Sequence, residues 1–216
     1  MTSGTSGKGR SYSGIVRISR RDMFIWTIQN IMAWELLQRQ GFLRGDGRRV
    51  EVYFRYAYRW MADQMLSRLP AVPGARFPLW GWYRWQGISR TRPDLRATGH
   101  LEKGTSGVRI ELEIPHEKVL LSDFDAWHSV LNGSYLSISE KDEDAFAEDL
   151  KKAGPGWGWP YPEPFRSRVV SSWQRIFDMD AGEPEWWGAL SERSVQATFW
   201  EIDLSQVRRA DRFTAR

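Results

Sequence analysis

The sequence predicts an α+β fold, a mixed and largely antiparallel sheet with helices packed on it. Three observations predict it. Val108, Ile110, Leu112 and Ile114 alternate with Arg109, Glu111 and Glu113, the period-two pattern of a half-buried strand. Ile31, Trp34 and Leu37, and again Ala57, Met61 and Met65, recur at helical spacing. Hairpin-like strands are mixed with strands separated by helices, unlike the regular alternation of a doubly wound sheet. The chain of 216 residues is long enough to bury a core. Its organisation reads as a basic, Ser/Gly-rich flexible tail over residues 1–21, then a single globular domain over 22–216.

The elements follow in order. Residues 23–29 (MFIWTIQ) are apolar and β-prone and predict a strand. A helix follows from Asn30 and stops at Gly41. Gly45-Asp46-Gly47 reads as a turn, with too few glycines for a dinucleotide fingerprint. Residues 54–69 predict a second helix, ended by Pro70. Residues 78–85 (PLWGWYRW) predict a buried strand with Trp80 and Trp82 on one face, Tyr83 and Trp85 on the other. Gly104 to Gly107 reads as a hairpin turn before the alternating strand. Val119-Leu120-Leu121 predicts a short strand. Ser122 and Asp125 have capping-box spacing for the next helix, which stops at Asn132-Gly133. Residues 139–152 predict an acidic amphipathic helix anchored by Phe146 and Leu150. Trp157, Trp159 and Tyr161 stand in a Gly/Pro loop that covers either a core edge or a pocket. A helix over 165–177 and a final strand over 195–202 (VQATFWEI) complete the reading.

Composition excludes several functions. There is no cysteine, so thiolate nucleophiles, disulfides and Cys-ligated zinc are ruled out. No apolar run approaches the ~20 residues of a membrane helix, and the N-terminus lacks a signal-peptide core, so the expectation is a cytoplasmic protein without membrane contact. The formal charge is +4. Lys8, Arg10, Arg17, Arg20 and Arg21 lie in the tail without an acid, leaving 26 basic against 27 acidic residues in the body. Such a tail either contacts nucleic acid or stands as a solvated extension. The thirteen tryptophans build a core, line a ligand site, or do both.

Three polar constellations are candidates for chemistry. Thr27 and Gln29 end the first strand, where polar groups commonly face a cleft, or else Gln29 serves the helix start. In Arg92-Pro93-Asp94-Leu95-Arg96, Asp94 is placed to hold Arg96, and paired guanidiniums beside aromatic strands suit phosphate or carboxylate. In Ser122 to His128, Asp125 is spaced to orient His128 as a general base, with Asp123 as a second proton-handling group; alternatively the acid caps and the histidine packs. Gln196, with Thr198 on the same face of an apolar strand, calls for a partner or a site. No metal site is expected, because His100 and His116 have no motif spacing to His128. Phosphate-loop, nucleophile-elbow and kinase motifs are all lacking.

The joint pattern of W-T-I-Q at 26–29, P-L-W-G-W-Y at 78–83, R-P-D-L-R at 92–96, V-L-L-S-D-F-D-A-W-H-S-V-L-N at 119–132, S-W-Q-R-I-F-D at 172–178 and V-Q-A-T-F-W-E-I at 195–202 resembles a bacterial family labelled domain of unknown function 3841. That label carries no activity. The chain is also similar, more weakly, to ADP-ribosyltransferase-like folds. There an early strand carries His or Arg for NAD, a middle strand an aromatic or Ser, and a late strand Glu or Gln. Here Thr27 and Gln29 stand where His or Arg is expected, and Gln196 stands near the position of the catalytic acid. The resemblance implies a nucleotide ligand of the NAD type. Trp80, Trp82 and Tyr83 would stack its rings, Arg92 or Arg96 would meet phosphate, and Thr27, Gln29 and Gln196 would fix the sugar. His128 or Asp123 would move a proton. The alternative is a non-catalytic module that binds nucleic acid or protein.

Overall fold

The computed structural model describes residues 22–154, 156 and 158–216. The predicted tail and Trp157 lie outside the described residues. The strands are β1 (Asp22–Asn30), β2 (Phe42–Arg44), β3 (Leu79–Arg84), β4 (Ser106–Pro115), β5 (Leu120–Asp123), β6 (Val195–Phe199), β7 (Glu201–Asp203) and β8 (Val207–Thr214). The helices are α1 (Ile31–Gln40), α2 (Arg55–Arg68), α3 (Phe124–Leu131), α4 (Glu140–Ala153), α5 (Phe165–Ser172) and the single turn α6 (Pro184–Trp187).

Six strands form one sheet in the order β5-β6-β3-β1-β4-β8, with every neighbouring pair antiparallel. β2 and β7 form a separate antiparallel pair. The fold is therefore α+β, as the mixed pattern predicts. β1 sits inside the sheet because both its faces are apolar enough to be covered. Ile25 packs into a core with Ile110, Leu112, Ala197 and Phe199, closed by Trp34 and Leu37 of α1.

The first helix is set by its ends. The Asn30 side chain accepts from the Ala33 N–H, and Gly41 takes a left-handed φ of 85° while its N–H reaches the Leu37 carbonyl. A second core lies among α2, α3, α5 and the 3-10 turn Trp173–Phe177, with Met61, Trp127, Val169 and Trp173 buried in it. The two cores lie on opposite faces of β6. Ala197 and Phe199 belong to the first, whereas the Thr198 hydroxyl on the alternate face meets Met61 of α2.

Several expectations need correction. Gly104 to Gly107 does not close a hairpin, because β4 pairs with β1 and β8 and not with β3. Instead Gly104 donates its N–H to the Ala215 carbonyl, and Ala215 returns one to Thr105. The strand expected over 195–202 breaks at Trp200, and its end pairs with β2 as β7. The helix expected over 165–177 tightens into a 3-10 turn after Ser172. The α3 cap is Asp123 rather than Ser122, its carboxylate accepting from the Ala126 N–H at 2.9 Å. Arg109, expected on a solvated face, is buried against the Pro93 carbonyl and Asp211, each at 2.6 Å. β8 was not foreseen, since its charged sequence lacks apolar alternation and lies at the sheet edge, where charge blocks further pairing.

Candidate functional site

A row of direct cross-strand partners crosses the sheet. Trp26 faces Trp82, Trp82 faces Gln196, and Gln196 faces Ser122. Direct partners share a face, so β1, β3, β6 and β5 each contribute one side chain to this line. Gln196 is 4% exposed and donates its amide N–H to the Ser122 hydroxyl at 3.1 Å. The expectation that Gln196 has a hydrogen-bonding partner thus finds Ser122.

A cleft of about 270 Å³ opens over this row, between β3, α3 and the start of α2, with Gln196 among its lining. Its walls are aromatic. The Trp82 and Phe124 rings lie 4.7 Å apart between centroids at 59°, and Trp80 lies 4.9 Å from Trp127. Tyr58 of α2 meets both Trp80 and Trp127 edge-on. Burial raises the Tyr58 phenol above its ordinary pKa, so it stays a neutral wall at physiological pH. The Trp80 Nε1 atom is buried without a hydrogen-bond partner among the described residues, a donor on a residue that lines the cleft.

Two imidazoles rim the same cleft. His128 is exposed, and its Nδ1 lies 3.0 Å from the Phe124 carbonyl. A carbonyl only accepts, so Nδ1 is the donor in this contact. The ring is oriented by that carbonyl and by the Phe124 edge at 4.7 Å, which corrects the expectation that Asp125 orients it. His100 was not singled out in the sequence. Its Nε2 lies 2.8 Å from the Asp94 carbonyl and by the same logic is the donor there. Nothing in its local sequence signals this position; only the loop fold brings it to α3.

The other candidates are placed differently. Thr27 is fully buried on the opposite face of β1, donating to the Trp80 carbonyl at 2.7 Å, and Gln29 donates to the Thr27 hydroxyl at 2.8 Å. Both support the strand carrying Trp80 rather than lining the cleft. Tyr83 points away from Trp82, under the Arg84 guanidinium at 5.3 Å. Asp123 does not line the cleft either. Burial raises its pKa against the opposing pull of the Ala126 N–H and Arg193, and its geometry is that of a helix cap. Glu201 sits on β7 and pairs with Arg44 at 2.6 Å.

Arg92, Asp94 and Arg96 line an open depression of about 1010 Å³ beside the cleft. Asp94 accepts both the Arg96 Nε and Nη2 donors, at 3.0 and 2.7 Å, and these bonds hold its carboxyl well below the usual range. Asp94 thus holds Arg96, the arrangement its spacing suggested. The loop is anchored from beneath by Arg109 on the Pro93 carbonyl. The arginine loop and the aromatic cleft meet at His100, which touches the loop through Asp94 and lines the cleft. Among the described residues no group of three or more His, Asp or Glu side chains is placed to hold a metal ion.

The cleft residues and the stretches that carry the sequence resemblance fall within one matched span, residues 24–208. The chain belongs to the family described as Domain of unknown function (DUF3841). No curated protein and no solved structure matches it. In this DUF3841 chain the matched span takes in β1 from Phe24 onward and β2 to β7, so the aromatic cleft and the arginine loop are both parts of the family's domain. Among the described residues no helix is long and apolar enough to cross a membrane.

Proposed function

We propose that the aromatic cleft of this DUF3841 domain binds a nucleotide of the NAD type, its planar ring against Trp82 and Phe124. The observation that carries this is the convergence of Trp82, Gln196 and Phe124, from β3, β6 and α3, on one cleft. Aromatic walls with a few polar groups are the usual make-up of a heterocycle site. At about 270 Å³ the space suits a ring and a sugar. Whole drug-sized ligands take roughly 300–1,000 Å³, so the phosphates would lie outside, toward Arg92 and Arg96. Gln196 would read a polar edge of the ligand.

The resemblance to ADP-ribosyltransferase-like folds asks an early, a middle and a late strand to act together; β1, β3 and β6 are neighbours, but Thr27 and Gln29, the early-strand positions, lie on the face away from the cleft. It also limits the reading to binding. Transfer of ADP-ribose needs negative charge beside the developing oxocarbenium, and Gln196 offers an amide. No carboxylate is among the residues lining the cleft.

The experiment is a thermal melt of the full chain with NAD, ADP-ribose, ATP or adenosine, with tryptophan fluorescence as a second readout. NAD or ADP-ribose at a hundred times its dissociation constant should add about 2.7 kcal/mol of stability. Trp82→Ala should remove that shift. An unchanged melt with every nucleotide rejects the proposal.

A further inference from the structure

A second cleft, sharing no lining residue with the first, is built almost wholly of arginine and glycine. It is an open depression of about 550 Å³, and Arg48, Arg55, Arg59 and Arg76 line it together with Asp46. Asp46 is already neutralised, its carboxylate accepting from the Arg48 Nε and Nη2 at 3.0 and 2.9 Å. Among the described residues no carboxylate forms an ion pair with Arg55, Arg59 or Arg76. Arg55, Arg59 and Arg76 are exposed, and they line one open space with no ion-pair partner among the described residues. An anion entering it would meet three guanidiniums at once.

The framework around them is tight. A Cβ on Gly47 would lie 2.2 Å from the Phe77 ring, so only glycine lets this wall close on Phe77. Arg55 and Arg59 are one helical turn apart on α2, which sets them side by side. Just before them in the chain, Val52 and Tyr53 are 70% and 82% exposed. Tyr53 stands two residues before Arg55 in the chain, outside the lining of the cleft, and an exposed phenol ring close in the chain to arginines offers a base to stack on where the arginines take phosphate.

We propose that this cleft binds single-stranded nucleic acid, with Arg55, Arg59 and Arg76 on successive phosphates and Tyr53 stacking a base. A phosphate-only ligand would use the arginines and leave Tyr53 idle, and that difference separates the sources of phosphate. The site does not depend on the nucleotide reading of the aromatic cleft. Helix α2 serves both, with Tyr58 in one and Arg55 and Arg59 in the other.

The test is fluorescence anisotropy of a labelled twelve-residue oligothymidylate with the full chain, from 50 to 200 mM salt. The triple variant R55Q/R59Q/R76Q should bind at least tenfold more weakly. Its slope of log affinity against log salt should flatten by about two, since each single-strand phosphate contact contributes about 0.7. Y53A should lose about tenfold while keeping the wild-type slope, because it removes stacking and no charge. R39Q/K103Q/R212Q, which removes the same charge elsewhere, should bind within threefold of wild type. Thermal melts check that each variant folds. The proposal is overturned if R55Q/R59Q/R76Q binds as wild type does. It is equally overturned if the wild-type chain fails to bind at 50 mM salt. A third overturning result is that inorganic pyrophosphate displaces the oligonucleotide at matched phosphate concentration while Y53A binds normally, since the cleft then takes phosphate alone.

Discussion

Trp82 and Gln196 are direct partners across β3 and β6, and the amide that completes this pair is itself held by Ser122 on the next strand. A large aromatic and a buried amide are thereby fixed side by side on the floor of one cleft. Strand pairing fixes this relationship more rigidly than a loop would.

Gln196→Ala tests both halves of that arrangement. It deprives the Ser122 hydroxyl of its donor and the cleft of its amide. The expected cost is about 1–2 kcal/mol in urea unfolding, with nucleotide affinity down about tenfold. Unchanged affinity with the same stability loss would make Gln196 purely structural.

Asp123 gives a prediction with a definite pH sign. Burial raises its folded pKa above the ordinary 3.8. The native state therefore keeps the proton to higher pH than the unfolded chain, and stability falls as pH rises between the two values. Asp123→Asn keeps an acceptor for the Ala126 N–H without the desolvated charge. It should be at least as stable as wild type at pH 7 and show no advantage at pH 3. Asp123→Ala should lose about 1 kcal/mol at both. Unfolding curves at the two pH values check this; an Asn variant as weak as the Ala variant at pH 7 contradicts it.

Arg109 couples the sheet to the Arg92–Arg96 loop. Arg109→Met removes two bonds from a buried guanidinium and should cost about 2–3 kcal/mol, moderated because Asp211 retains Arg209 at 2.8 Å. Amide exchange in Asp94 and Arg96 should quicken. Arg109→Lys should recover less than half, since an ammonium lacks the fork that reaches both partners. Equal exchange in wild type and Met variant would show that the loop stands without this anchor.

Gly81 keeps β3 close to β1. A Cβ there would lie 2.5 Å from Ile25 Cγ2 and 3.2 Å from the Trp26 carbonyl. Gly81→Ala should therefore destabilise by about 1–3 kcal/mol, read by thermal melting, and should weaken nucleotide binding by shifting Trp82. A neutral substitution would mean that the strands separate freely here.

The parts of this architecture legible in the sequence are those with a strong local period. The apolar alternation of β4 and the helical spacing of α1, α2 and α4 appear where expected. β8 and the β2–β7 pair escaped because charged edge strands and three-residue strands have no periodic signal. The burial of Arg109 escaped because its partners, Pro93 and Asp211, are brought to it only by the tertiary fold. At the site, the strand faces of Trp80, Trp82 and Tyr83 followed from alternation. The face of Thr27 and Gln29 did not, because both sides of β1 are apolar and alternation alone could not say which met the cleft. His100 enters through loop geometry, which no spacing rule anticipates.

The most direct test of the central claim is a fluorescence titration of ADP-ribose into the full chain, wild type against Trp82→Ala. The wild type should show saturable quenching as the ring stacks in the cleft, and Trp82→Ala should lose binding while its melt remains cooperative. Saturable quenching that survives in Trp82→Ala with unchanged affinity would place the ligand elsewhere, and no quenching in the wild type would remove the nucleotide from the account.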